Sequence, residues 1–478
     1  MRDFADFGQL MLETITLLPD HKGIARHSLL ILFAFLVVML GCALFSPAAL
    51  RKALVLDPLT PATLARIEYF WDTRHYSNLV MKMECVAFYP LWPSLVRLVF
   101  APASHVAAAQ SLVLASWLLF LVGIPLLVTA FRRSVKDSQL AWMAVLLFTV
   151  NPMGIFRIIG YTEALFAVLS ALLMLLLYKK PNRASQAYVL LGIFGLSLLL
   201  SLTRPILVQG ATAAFGALVL LIAVQTASEP SRTGEGWAAR VGTTLGQNRY
   251  SVAATAALIV GFGAGYAIYG SYCHATTGEF FRPFTQQSSW GKKVGFQPWL
   301  LVLPRSPYED LLALYFPVIL LFLAGILVFC NVQNERPPKC EVHLLPLNRS
   351  VMLAAEPTVW FVVHLGRLAF WRRPAPSKLP AEAVSEHEAI AHWSQSYLFW
   401  FALFVALAHS ALAFLTQQNL GSLARFIFGQ PFFFLALAML ATTVEPQKRL
   451  LPFKALMAAS CLFLVIQWIK FGNDNWLG

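Results

Sequence analysis

Long apolar runs alternate with short polar connectors along almost the whole chain. Eleven such runs stand out, at 28–46, 107–130, 139–156, 162–178, 187–203, 205–226, 251–270, 311–330, 397–415, 426–444 and 453–470. Each approaches the roughly 20 residues that carry an α-helix across a bilayer core. The pattern predicts an all-α polytopic membrane protein with about 11 transmembrane helices. The first run lacks a small-residue cleavage site where a signal peptide would need one, so it reads as an anchoring span. A shorter run over 86–103 contains Pro90, Pro93 and Arg97 and makes a poor ordinary span. It reads as a re-entrant or short, tilted helix, because irregular backbone at membrane depth is tolerated where protein or a water-filled cavity covers it.

Charge assigns the sides. The connectors 132–137 and 179–183, the turn 445–449 and much of 227–250 are basic. The long hydrophilic stretch 332–396 adds Arg336, Lys339, Arg349, Arg367, Arg372, Arg373 and Lys378. The positive-inside rule makes all of these cytoplasmic, and the spacing of the spans puts them on one side. The expected organisation is a cytoplasmic N-terminus (1–27), a transmembrane core (28–331) with outer loops 47–85 and 271–310, a basic cytoplasmic insert with amphipathic stretches (332–396), and C-terminal transmembrane helices (397–478).

Composition agrees with this reading. The chain is 58% hydrophobic and only 12% charged, against about 25% charged in soluble domains. The net charge of +13 falls in clusters between apolar runs rather than on one basic face, so nucleic acid is not an expected partner. The six cysteines show no metal-binding spacing and read as isolated membrane-buried thiols. Cys85 and Cys273 are the two that fall together on the outer side.

Candidate chemistry gathers on that outer side. A helix over 60–80 would place Glu68, Asp72, His75 and Tyr76 on one face, next to Trp71. A carboxylate flanked by aromatics at the interface suits a general base. An interfacial amphipathic helix with belt aromatics is the other reading. Asn151-Pro152 and Gly160-Tyr161-Thr162-Glu163 form a polar hinge, where Glu163 is either a ligand or a helix-start acid. Arg204 in Thr203-Arg204-Pro205 and Arg425 at the head of a late run are candidate phosphate ligands or snorkelling cations; Arg282 and Lys292 in the loop 271–310 are candidate phosphate ligands or cations of a plain solvated loop. No Walker loop, zincin motif or nucleophile elbow is present.

These residues resemble GPI mannosyltransferase II, the PIG-V family. Trp71-Asp72, His75-Tyr76, Ala87-Phe88-Tyr89-Pro90 and Pro93 are similar to its first luminal loop. Asn151-Pro152 with Gly160-Tyr161-Thr162-Glu163-Ala164-Leu165-Phe166 resembles its next motif. Thr203-Arg204, Pro283-Phe284 with Trp290 and Gly295, and Arg425 with Pro431 follow in order. The resemblance covers about 28–440. Pro205-Ile206 and the insert 332–396 depart from the eukaryotic pattern, which points to a bacterial PIG-V-like protein of the inner membrane.

The resemblance implies a GT-C-type bundle and a glycosyltransferase, by default a mannosyltransferase. It would move a sugar from a polyprenyl-phosphate donor to a lipid- or protein-linked acceptor hydroxyl on the outer face. It implies Asp72 as base, Trp71, His75, Tyr76, Tyr161 and Glu163 around the sugar, and Arg204, Arg282, Lys292 and Arg425 around the phosphate. Inverting displacement of this kind demands no cofactor and no metal. The alternative is a transporter or flippase of lipid-linked glycans, which predicts charge inside the spans rather than at their outer ends.

Overall fold

The structure, a computed structural model, describes residues 21–54, 71–179, 181–228, 236–290, 295–296, 308–333, 381–416, 422–444 and 446–475. In these residues the elements are α-helices and two short 3₁₀ turns: α1 (His21–Phe45), α2 (Pro47–Ala53), α3 (Asp72–Met81), α4 (Leu91–Phe100), α5 (His105–Ser134), α6 (Ser138–Val150), a 3₁₀ turn (Pro152–Arg157), α7 (Glu163–Tyr178), α8 (Gln186–Thr203), α9 (Leu207–Ser228), α10 (Trp237–Gln247), α11 (Arg249–Thr277), α12 (Arg282–Thr285), a second 3₁₀ turn (Gln286–Trp290), α13 (Tyr308–Gln333), α14 (Ala381–Ser394), α15 (Tyr397–Thr416), α16 (Leu423–Phe428), α17 (Pro431–Ala441) and α18 (Pro446–Gly472).

Every apolar run predicted from sequence is helical, and the protein is an all-α polytopic membrane protein. Among the described residues, seven helices are long and apolar enough to cross a bilayer. An eighth crossing forms if Glu388–Ser394 and Tyr397–Leu412, which meet at a 66° bend, count as one. The shortfall from eleven has a local cause. The runs 139–156, 162–178 and 426–444 form helices of 13, 16 and 11 residues in α6, α7 and α17. Polar or turn residues cut each one: Asn151-Pro152 ends α6, Gly160 to Thr162 precede α7, and Gly429-Gln430 precede α17. The 86–103 run contains only α4, ten residues long. At ~1.5 Å per residue that is about half the hydrocarbon thickness. It stops at Ala101, held at φ 43°.

The long helices α1 and α18 are the least buried, with 28% and 17% of their apolar windows covered, and α1 turns Leu29, Phe33, Leu44 and Phe45 outward. Such a surface suits lipid. The short helices α6, α7 and α17 sit inside this shell with most side chains buried. Here the packing density of a protein interior replaces contact with lipid. The most extensive helix–helix contact joins α8 to α11. A Cβ on Gly261 would lie 2.5 Å from the Phe194 carbonyl oxygen, and one on Gly265 2.5 Å from that of Leu198. Small residues four apart let two backbones touch, which drives helix association where lipid removes the hydrophobic force. Ser201 Oγ seals the contact by donating to Phe262 O at 2.8 Å. The contact fixes the C-terminal end of α8, where Arg204 caps it.

Of the insert 332–396, the described residues are 332–333, at the end of α13, and 381–396, where α14 occupies Ala381–Ser394. Its predicted amphipathic stretches, within 351–371, lie outside the described residues.

The candidate active site

Asp72 opens α3, the ten-residue helix Asp72–Met81. The residue before it, Trp71, adopts φ 45° and ψ −117°. For a bulky side chain that conformation costs on the order of 1–3 kcal/mol and persists only when the surroundings impose it. They do so here. Asp72 N–H donates to Tyr161 Oη at 3.1 Å, and Thr73 Oγ1 donates to Ile159 O at 2.7 Å. Trp92 Nε1 of α4 donates to Gly160 O at 3.0 Å. The turn 159–161 thus holds the first turn of α3 and the start of α4 together. Gly160 has φ 91°, and a Cβ there would meet Thr73 Cγ2 at 3.0 Å, so only glycine fits without strain.

Across this turn run two carboxylates and two guanidinium groups. Arg425 of α16 donates through Nη1 to Asp72 Oδ2 at 2.5 Å and through Nε to Glu163 Oε1. Arg204 Nη1 lies 3.3 Å from the same Glu163 oxygen. Glu163 is fully buried, at 0% exposure. The Asp72 side chain keeps 17% exposure. Aromatic faces wall in the cations: Arg425 sits 4.4 Å from the Tyr161 ring and 5.0 Å from Phe156, and Arg204 sits 4.8 Å from Phe426. Opposite charges and π-faces together compensate desolvation that none of these groups would tolerate singly. Asp72 Oδ1 has no partner among the described residues, while Oδ2 is committed to Arg425.

A second wall adjoins Asp72. His75 and Phe88 stack with centroids 4.8 Å apart, and Tyr76 meets Phe88 edge-on at 5.1 Å. Burial pulls His75 below its ordinary pKa, more strongly than the Asp72 charge raises it. Burial, assisted by Asp72, pushes the Tyr76 phenol up, so it stays a hydroxyl at neutral pH. The segment carrying Phe88 is fastened to α11. Tyr269 Oη donates to the carbonyls of Val86 and Phe88, at 2.7 and 3.0 Å. Tyr272 Oη donates to Met83 O at 3.0 Å. Cys85 and Cys273 form a disulfide. The expectation of isolated thiols is corrected for this pair. The two cysteines are 188 residues apart, and only the packing of the 83–90 segment on α11 brings them into range.

Of the predicted residues, the structure brings together Trp71, Asp72, His75, Tyr76, Tyr161, Glu163, Arg204 and Arg425. It does not bring Arg282 to them. Arg282 pairs with Glu279 at 3.3 Å, and its side chain is 45% exposed. Lys292 and Glu68 lie outside the described residues. The two deep cations, read as phosphate ligands or snorkelling residues, turn out to be partners of the site's own carboxylates. Among the described residues no group of three or more His, Cys, Asp and Glu side chains is placed to hold a metal ion.

Asn151 and Asp310 also hold the site in place. Asn151 accepts from Met153 N–H at 2.8 Å and donates to the carbonyl of Phe428, at the end of α16, at 3.2 Å. Sequence reasoning marked Asn151 as a hinge. It missed Asp310, whose signal was an acidic pair, Glu309-Asp310, opening an apolar run.

Comparison with known proteins places part of this chain beside one enzyme. It is 33% identical over 135 residues to a protein named GPI mannosyltransferase 2 from Drosophila pseudoobscura pseudoobscura, covering 25% of this chain. The match spans 29% of the length of that relative. No protein-family model matches the chain, and no solved structure matches it. An all-helical membrane protein with a distant, partial likeness to a mannosyltransferase is what geometry and comparison together establish.

Proposed function

We propose that this protein is a membrane glycosyltransferase of the GT-C type, by default a mannosyltransferase. In this reading it moves a sugar from a polyprenyl-phosphate donor to a lipid- or protein-linked acceptor hydroxyl on the outer face, the periplasmic side of an inner membrane. The observation that carries it is the Asp72 carboxylate, with one oxygen held by Arg425 at 2.5 Å and the other without a partner among the described residues, beside an aromatic wall. The partial likeness to an enzyme named as a mannosyltransferase supports the reaction class.

The acceptor hydroxyl oxygen forms a bond to the anomeric carbon as the carbon–oxygen bond to phosphate breaks. The electron pair leaves with the polyprenyl phosphate, and the hydroxyl proton passes to Asp72 Oδ1. A single displacement inverts the anomeric centre. Arg425 fixes Asp72 through Oδ2, which orients the carboxylate so that Oδ1 can take the proton. Arg204 is the less committed cation, since its Nη1 nears Glu163 without a good hydrogen bond. It is the better placed of the two to stabilise the leaving phosphate, as preorganised charge in a water-poor site does. Trp71, His75, Tyr76 and Phe88 wall the sugar. The cysteine bridge supports the outer-face orientation, because disulfides persist on the oxidising side of a membrane.

The test uses purified protein in nanodiscs, polyprenyl-phosphate-linked radiolabelled mannose and a lipid extract of the host. Wild type should form a labelled product, and Asp72→Asn should lose about 10²–10⁴-fold in rate at normal expression and insertion. Normal transfer by Asp72→Asn would remove its role as base. No transfer by wild type with any of a panel of lipid-phosphate sugars would turn attention to movement of lipid-linked glycans.

A further inference from the structure

We infer that Asp310 is a positioning residue that sets the reach of Arg425 into the site, an inference that rests on the proposed transferase reading only for its kinetic consequence. Arg425 sits on α16, a helix of six residues. A helix so short cannot hold its own geometry, since nucleation is unfavourable and its first amides have no partners within the helix. Its natural cap does not serve. Ser422 precedes it with φ 68°, and its side chain makes no capping bond.

Asp310, on the first turn of α13, supplies the cap from another part of the chain. Its Oδ1 accepts from Ala424 N–H at 2.7 Å. The residue is 1% exposed. One turn and a half further along α13, Phe316 packs edge-on against Phe428, with centroids 6.3 Å apart. Asn151 bonds the Phe428 carbonyl from the opposite side. The short helix is therefore clamped at both ends, and its middle presents Arg425 to Asp72 and Glu163. A carboxylate at the N-terminus of a helix also favours the local dipole. Loss of the Asp310 cap releases the end that lies three residues before Arg425, and the arginine must move relative to both carboxylates.

The test follows hydrogen exchange and sugar transfer by the full-length protein in nanodiscs. Asp310→Ala should speed exchange of the amides of 422–425 by about fivefold to tenfold, the loss of one cap, while α8 is unchanged. Transfer should fall by about tenfold to a hundredfold in kcat, as for a misplaced catalytic constellation. Asp310→Asn, whose amide oxygen still accepts, should stay within about threefold of wild type in both readouts. If Asp310→Ala does not fold, the Asn variant decides the matter: a loss as large as that expected of Ala overturns the inference. Combined with Arg425→Lys, Asp310→Ala should add little further loss, because both act through one group. Additive losses, or exchange of 422–425 unchanged in Asp310→Ala, would also overturn it. If wild type transfers no sugar yet exchange responds as expected, the reaction class fails and the positioning of Arg425 stands.

Discussion

At the scale of residues, the site is a chain of charges ordered Arg204, Glu163, Arg425, Asp72. Two negative and two positive groups leave it near neutral, which is why so many ionisable groups can be buried together. Removing one member breaks that balance. Arg425→Ala would strand Asp72 and leave Glu163 with Arg204 alone, and should destabilise the protein by about 3–5 kcal/mol, the cost of an uncompensated buried charge. A thermal unfolding midpoint equal to wild type would show the cluster to be more hydrated than its burial indicates. Gly160 bears a different constraint. Its φ of 91° and the 3.0 Å approach to Thr73 mean that Gly160→Ala should cost about 1–2 kcal/mol and shift Asp72 with α3. Asp72 was legible as a carboxylate among aromatics in the first outer loop, and Glu163, Arg204 and Arg425 as polar residues at the ends of apolar runs. Their mutual pairing was not, because 353 residues separate Arg425 from Asp72 and sequence order carries no information about that distance.

At the scale of elements, short helices do the positioning and long ones do the spanning. The segment from 83 to 90 has no regular structure beyond a few bends, yet it carries Phe88 against His75. It depends on α11 for its place, through Tyr269, Tyr272 and the Cys85–Cys273 bridge. Cys85→Ser should lower stability by about 2 kcal/mol, the low end for a disulfide. The bilayer already confines both ends of the 188-residue loop, so less entropy is left for the bridge to remove. A reductant titration of the melting temperature, with Cys85→Ser as the insensitive control, checks this. A wild-type midpoint indifferent to reductant would mean that the tyrosine hydrogen bonds alone hold the segment. The ten-residue length of α4 agrees with the reading of 86–103 as a short helix, and the reason was visible: prolines and a charge in a run too brief to cross.

At the scale of the molecule, charge and oxidation bear independently on the proposed orientation. The positive-inside rule would put the basic turns 132–137 and 179–183 on the cytoplasmic face. The Cys85–Cys273 bridge would then lie on the oxidising face. Single cysteines introduced at Lys136 and at Glu279 should label with a membrane-impermeant maleimide only after permeabilisation and in intact cells, respectively. The reverse pattern would invert the topology and place the Asp72 site in the cytoplasm, which the proposed donor chemistry does not allow.

The apolar runs by themselves determined that this chain lies in a membrane as a bundle of helices, because about 20 consecutive apolar residues have no other stable home. The polar hinge at Asn151 and Gly160 also showed where polar chemistry interrupts the bundle. Only the tertiary structure decided which interruptions meet. The contacts of Arg425 with Asp72 and Glu163, the cap that Asp310 gives to α16, and the bridge from Cys85 to Cys273 each join residues more than a hundred positions apart. Such pairings depend on how helices pack sideways, through contacts such as those of Gly261 and Gly265 of α11 against α8. Hydropathy along a chain records how deep a residue sits in the membrane but not which neighbour it faces.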